Sequence, residues 1–167
     1  TCACVGGPSV FYGGVSSRFR EEDFAAHPEI VGDTGARWPL AYEDLRPLYR
    51  RAERILGVAG TESGDPTAPA RDAPYPQAAP GLSPTSRKIG DAARRKGWRP
   101  YRLPLAINYG VSDRRPTCLA CDTCDTFPCA IQAKNDLAAR VLPRLLEQGR
   151  ALRPSTAVVR LDLADGR

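Results

Sequence analysis

The chain has 167 residues, with 24 Lys+Arg against 19 Asp+Glu and a formal net charge of +5. That length suits one domain with an excursion, and 42% hydrophobic with 26% charged residues is a globular composition. No apolar stretch approaches the ~20 residues of a membrane helix, and the basic residues are interleaved with acids, so neither a membrane span nor a nucleic-acid partner is expected.

The chain contains no Met and opens Thr1-Cys2-Ala3-Cys4, which predicts a piece of a larger protein. No signal peptide is visible in this stretch, and the compartment stays open between cytoplasm and periplasm. Residues 1–16 are glycine-rich: Val5-Gly6-Gly7-Pro8-Ser9-Val10-Phe11-Tyr12-Gly13-Gly14-Val15. Such a run suits a loop lying close to something flat or bulky, or a tight turn beside a strand. His27 is the one histidine, lies between Ala26 and Pro28, and reads as an exposed loop residue with no nucleophile signature near it.

Trp38-Pro39 stops any preceding helix. Leu45, Leu48, Tyr49, Ala52, Ile55 and Leu56 recur at helical spacing. A short turn over 42–45 is expected to lead into a packing helix that begins near Pro47 and stops at Gly57. Residues 60–82 hold five prolines and three glycines and read as a surface excursion or linker. Ser83 caps and Pro84 opens the next helix, which ends at Gly97 and has a thin apolar face of Ile89, Ala92 and Ala93. Residues 98–111 read as extended, ending in Asn108-Tyr109-Gly110. A third helix is expected from about Gln132 to Gln148, kinked or split at Pro143. Ala157 to Leu163 reads as a strand, followed by an Asp165-Gly166 turn signal.

Four of the six cysteines form Cys118-x2-Cys121-x2-Cys124-x4-Cys129. Close thiols suit an iron–sulfur cluster, and the first three match the start of a ferredoxin run. The last gap and Pro128 do not match that run. A structural zinc, disulfides in an oxidising compartment, and thiols without a shared role all stay open. Cys2 and Cys4 have no obvious mates.

Taken together these segments resemble the glucose–methanol–choline (GMC) flavin oxidoreductases. The Val5–Val15 run looks like that family's glycine-rich signature, with Pro8 where the family prefers Gly, Ser or Thr and Tyr12 where it prefers Asn or His. Trp38-Pro39-Leu40-x-Tyr42-x-Asp44-Leu45-x-Pro47-x-Tyr49, running on through Glu53 and Leu56-Gly57-Val58 to Gly60, looks like its next block. Cys129-Ala130-Ile131-Gln132-Ala133-Lys134-Asn135-Asp136 resembles a stretch of a cysteine-bearing bacterial branch. The closing strand, with Val158 three before Leu161, is similar to one that meets the FAD adenine.

The resemblance implies an incomplete FAD-binding fold, mixed α/β or α+β, with helices, long irregular loops and a terminal strand. Residues 1–60 would be a flavin-contacting loop and helix, 61–130 an excursion with the cysteine cluster, and 131–167 a return to the FAD-binding domain. It implies hydride transfer to flavin from the CH–OH group of a small alcohol or sugar, with an electron-acceptor partner. Gly6, Gly7, Ser9, Val10, Tyr12, Gly13, Gly14 and Val158 would contact FAD. Cys118, Cys121, Cys124 and Cys129 would hold an iron–sulfur cluster. The family's dinucleotide-binding glycines and catalytic His fall outside this stretch, so no catalytic residue is assigned. The alternative is a non-catalytic, cysteine-rich metal-binding or interaction module.

Overall fold

The computed structural model describes residues 3–25, 27–62, 65–110 and 115–162. Short elements alternate with long connections: α1 (Pro28–Val31), α2 (Tyr42–Leu56), β1 (Ala59–Gly60), β2 (Gln77–Ala78), α3 (Pro84–Arg95) and α4 (Leu142–Glu147). Tight 3₁₀ turns occupy Gly7–Val10, Glu21–Phe24 and Gly32–Thr34. The 16 prolines and 15 glycines explain the irregular remainder, since neither residue type sustains a long element.

The helix expected from Pro47 instead begins at Tyr42. Asp44 makes the earlier start work, accepting the Ala41 N–H at 2.9 Å and so satisfying an orphan donor of the first turn. Pro47 then lies inside the helix, where its missing N–H leaves only the Glu43 carbonyl without its helical donor. At the other end Gly57 is left-handed, with φ 61, and the Val58 N–H donates back to the Glu53 carbonyl at 2.9 Å. Helix α3 follows its sequence signals: the Ser83 hydroxyl accepts from the Ser86 N–H at 3.0 Å, and Gly97 turns left-handed just beyond the end.

Helix α2 is fixed by two side-chain clusters. Tyr42 stacks on Tyr49 with ring centroids 5.9 Å apart, and Phe24 packs against both Tyr42 and Trp38. On its other side Glu53 is only 5% exposed and receives two bidentate guanidinium groups. Arg18 donates from Nε at 2.8 Å and Nη2 at 2.9 Å, and Arg71 from Nη1 at 2.9 Å and Nη2 at 2.7 Å. Arg71 also lies 3.6 Å from the Tyr75 ring centroid. One carboxylate thus ties residues 18 and 71 to the helix between them.

The stretch read as a linker over 60–82 comes back to the fold. β2 pairs with β1 in parallel, Gln77 opposite Ala59. The extended segment 104–108 lies among the surrounding chain. Leu105 exchanges both backbone hydrogen bonds with Ala59, at 2.8 and 2.9 Å, and bridges Val15 as well. Ile107 bridges Lys134, and the Asn135 N–H donates to Ala106 O at 2.8 Å. The buried apolar residues, Tyr42, Val58, Ala59, Ala106, Ile107 and Ala133, centre on this crossing. Glu53, Asn108, Lys134, Asn135 and Asp136 are buried beside them.

Two expectations fail after residue 131. The third helix does not begin near Gln132. Gln132 is left-handed at φ 57, residues 133–136 are buried in the crossing, and helical backbone starts only after Asp136. Asp136 caps that start by accepting the Ala139 N–H at 2.7 Å. Pro143 divides the remainder as expected: a wide π-type turn over Leu137–Val141 is followed by α4, with the proline in its first turn. The terminal strand is absent over 157–162, where Val158, Val159 and Leu161 are 77%, 94% and 85% exposed. A strand needs a neighbour for its backbone groups, and among the described residues none reaches this segment. Leu163, Asp165 and Gly166 lie outside the described residues.

Replacing Glu53 with Gln leaves two buried guanidinium groups without their counter-charge. The expected loss is about 3 kcal/mol, measured as a fall in the urea midpoint of the intact protein. Burial alone would raise the Glu53 carboxyl, but the hydrogen bonds and charges of Arg18 and Arg71 outweigh it and hold the group below its ordinary 4.5. The trio therefore stabilises fully above that value and fades as pH falls below it. Glu53→Gln should remove this acid-side loss.

Candidate functional site

The glycine-rich run leaves the third residue and folds back within a few positions, which requires left-handed backbone. Gly6 and Gly7 have φ values of 93 and 58, and the Gly7 N–H donates to Cys4 O at 2.9 Å. A side chain at Gly6 would strike Val10 and Ala138 at 2.7 and 2.9 Å. One at Gly14, also left-handed at φ 83, would press on Ile107 at 3.1 Å. These two glycines are therefore needed by the chain's own packing. Gly7 differs, because among the described residues a Cβ there would meet nothing within 4 Å. Gly13 is intermediate, with an added Cβ in ordinary contact with Asp125 at 3.6 Å.

The polar side chains of the run are turned to internal work. The Ser9 hydroxyl donates to Gly6 O at 2.7 Å and accepts from the Leu137 N–H at 3.2 Å. Tyr12 donates its hydroxyl to Asn135 O at 2.8 Å, across 123 residues of sequence. Burial, and then the nearby negative charge of Asp136, push the Tyr12 phenol up to about 12. Val5, Phe11 and Val15 are exposed, and Val10 is half-buried. A flavin fits this segment through the open main chain at Gly7 and through its apolar side chains. It does not fit through hydrogen bonds from Ser9 or Tyr12, which are already engaged. Val158 stands outside this group, exposed and in no strand.

The cysteine loop is attached to the same run. The Thr126 N–H donates to Phe11 O at 2.9 Å. The base of the loop is closed by Asn108, whose amide donates to Arg115 O at 3.2 Å and Pro116 O at 3.1 Å, and whose carbonyl accepts the Cys118 N–H at 2.8 Å. Lys134 enters the middle, giving hydrogen bonds to Cys124 O at 2.8 Å and Phe127 O at 2.7 Å, with its ammonium 5.8 Å from the Tyr12 ring centroid.

All four thiols are free. Cys121 is exposed, while Cys118, Cys124 and Cys129 are half-buried. Burial pushes the Cys124 thiol up, and Cys118, Cys121 and Cys129 push it further while Lys134 pulls the other way. Hydrogen bonds from Thr123 lower Cys121. The thiols thus share a neighbourhood but not a point. Among the described residues no three His, Cys, Asp or Glu side chains are placed to hold one metal ion.

Several residues of this site carry no motif. Gln77 donates to the Gly57 and Ile107 carbonyls and accepts from the Tyr109 and Gly110 N–H groups at 3.0 and 3.1 Å. Asn108 and Lys134 work in the same way, satisfying backbone groups of loops, while the Asn135 side chain accepts from the Arg115 guanidinium. Lys134 and Asn135 fall in the Cys129–Asp136 stretch that carries part of the resemblance, whereas Gln77 stands in no such stretch.

No family model matches the chain. It is similar to the 6'''-hydroxyparomomycin C oxidase of Streptomyces lividus, 35% identical over 97% of this chain, and to the paromamine 6'-oxidase of Streptomyces fradiae, 33% identical over 97%. It also matches the gluconate 2-dehydrogenase flavoprotein of Pantoea cypripedii at 24% identity over 74% of its length. These relatives are oxidases and dehydrogenases. The chain spans 30%, 29% and 23% of their respective lengths.

Tyr12→Phe removes one partly buried hydrogen bond and should cost about 1 kcal/mol in urea unfolding. In the wild type the phenol should stay protonated in an ultraviolet titration well past its ordinary 10.0. Because its folded value is raised, its share of stability is present below 10.0 and is lost as pH climbs towards about 12.

Proposed function

We propose that this chain is the flavin-contacting segment of an FAD-dependent oxidoreductase of the GMC type that oxidises a CH–OH group of a sugar or alcohol. The observation that carries the reading is the turn at Gly6-Gly7: it is left-handed, braced by Ala138 and Ser9, and open at Gly7. End-to-end similarity to two Streptomyces oxidases, and partial similarity to a protein named a flavoprotein, support it.

Bound flavin would supply the hydride acceptor, the hard chemical step of such a reaction. This chain's own residues bind and orient. Gly7 offers main chain without a side chain, so a planar ring can lie against it. Ser9 and Tyr12 hold the turn from behind through Leu137 N and Asn135 O. Gly14 seats the end of the run against Ile107. No residue of this chain is assigned to removing the substrate proton. The relatives' names support the substrate class, one being a 6'''-hydroxyparomomycin C oxidase and another a paromamine 6'-oxidase.

The test is the intact protein carrying Gly7→Leu. The backbone strain at φ 58 should cost about 1–2 kcal/mol, and among the described residues nothing lies within 4 Å of the new Cβ. Flavin retention after gel filtration should nevertheless fall by about tenfold or more, the loss expected when over 1.4 kcal/mol of contact is removed. Unchanged flavin content in a folded Gly7→Leu protein would sink the proposal.

A further inference from the structure

Between Ala120 and Gln132 the cysteine loop holds four non-glycine residues in left-handed backbone: Ala120, Asp122, Thr126 and Gln132. L-residues adopt that conformation only where their surroundings impose it. A metal ion is one such constraint in cysteine-rich loops, because the ligand bonds fold the chain around it. Here the thiols are not gathered for that purpose.

The constraint in this loop is Lys134. Its side chain is 0% exposed, the largest among those fully buried. Among the described residues no carboxylate lies within ion-pair distance of its ammonium; its partners are two loop carbonyls and the face of the Tyr12 ring. Burying an ammonium is costly unless its donors are satisfied, so those carbonyls must stay where they are. Cys124 O and Phe127 O flank the left-handed Thr126, whose own N–H is held by Phe11 O at 2.9 Å.

We infer that Lys134, rather than a bound metal, organises the cysteine loop and locks it to the glycine-rich run. It is a positioning residue: it acts on the thiols through the backbone that carries them. The inference does not depend on the flavin reading, since it concerns a loop that would be held in the same way without a cofactor.

Site-resolved alkylation under anaerobic conditions tests this in the intact protein, with mass spectrometry reporting each cysteine. Iodoacetamide should modify exposed Cys4, outside the loop, at equal rates in the wild type and in Lys134→Met. Half-buried Cys118, Cys124 and Cys129 should react about tenfold faster or more in Lys134→Met, because their reaction follows opening of the loop. Treating the wild type with a strong chelator should leave these rates unchanged. Unchanged rates in folded Lys134→Met overturn the inference, and so does a chelator that speeds the three half-buried thiols. Should Lys134→Met not fold, the chelator arm decides: constant rates support Lys134 as the organiser, and faster ones assign that role to a metal.

Discussion

A buried ammonium with carbonyl partners is the constraint on which this structure turns. Lys134 cannot leave its place without exposing charge to an apolar crossing or breaking two strong hydrogen bonds. Its neighbours extend the constraint. Asn135 joins Ala106 through its N–H and Tyr12 through its carbonyl, and Asp136 caps the turn whose first N–H reaches Ser9. Three consecutive residues thus hold the cysteine loop, the central extended segment and the glycine-rich run together. With six buried apolar residues in the described chain, such polar ties carry a share of the order that a larger core would supply alone.

This changes what the glycines mean. A glycine-rich run beside a cofactor is easily read as wholly shaped by that cofactor. Gly6 and Gly14 are required by Ala138 and Ile107 of the same chain, whereas among the described residues a Cβ at Gly7 meets nothing and one at Gly13 makes only ordinary contact with Asp125. The same holds for the block from Trp38 to Gly60. Tyr42 and Tyr49 stack on each other, Asp44 caps α2, and Glu53 gathers two arginines. Those residues maintain the fold that presents the run.

Local signals were the legible part of the sequence. Ser83-Pro84 marked the start of α3, and Gly57 and Gly97 marked helix ends, because capping is settled by residues within one turn. Helix α2 starts before Pro47 because Asp44 caps its first turn, and a proline in the second turn forfeits only one hydrogen bond. The helix expected from Gln132 and the strand expected at Ala157 were lost to long-range effects. Ala133 to Asp136 were drawn into the crossing by Ile107, Ala106 and the cysteine loop, and Val158 found no neighbouring strand. At the site, spacing identified the cysteines, but not the lysine that positions them.

Hydrogen–deuterium exchange of the intact protein, with and without added FAD, tests the proposed arrangement most directly. If residues 134–136 hold the glycine-rich run from behind while Gly7 faces a flavin, omitting FAD will speed exchange across residues 7–11 and leave the Ala106, Asn108 and Asn135 amides slow. Equal exchange across residues 7–11 in both states, or early loss of protection at Asn108 and Asn135, would contradict it.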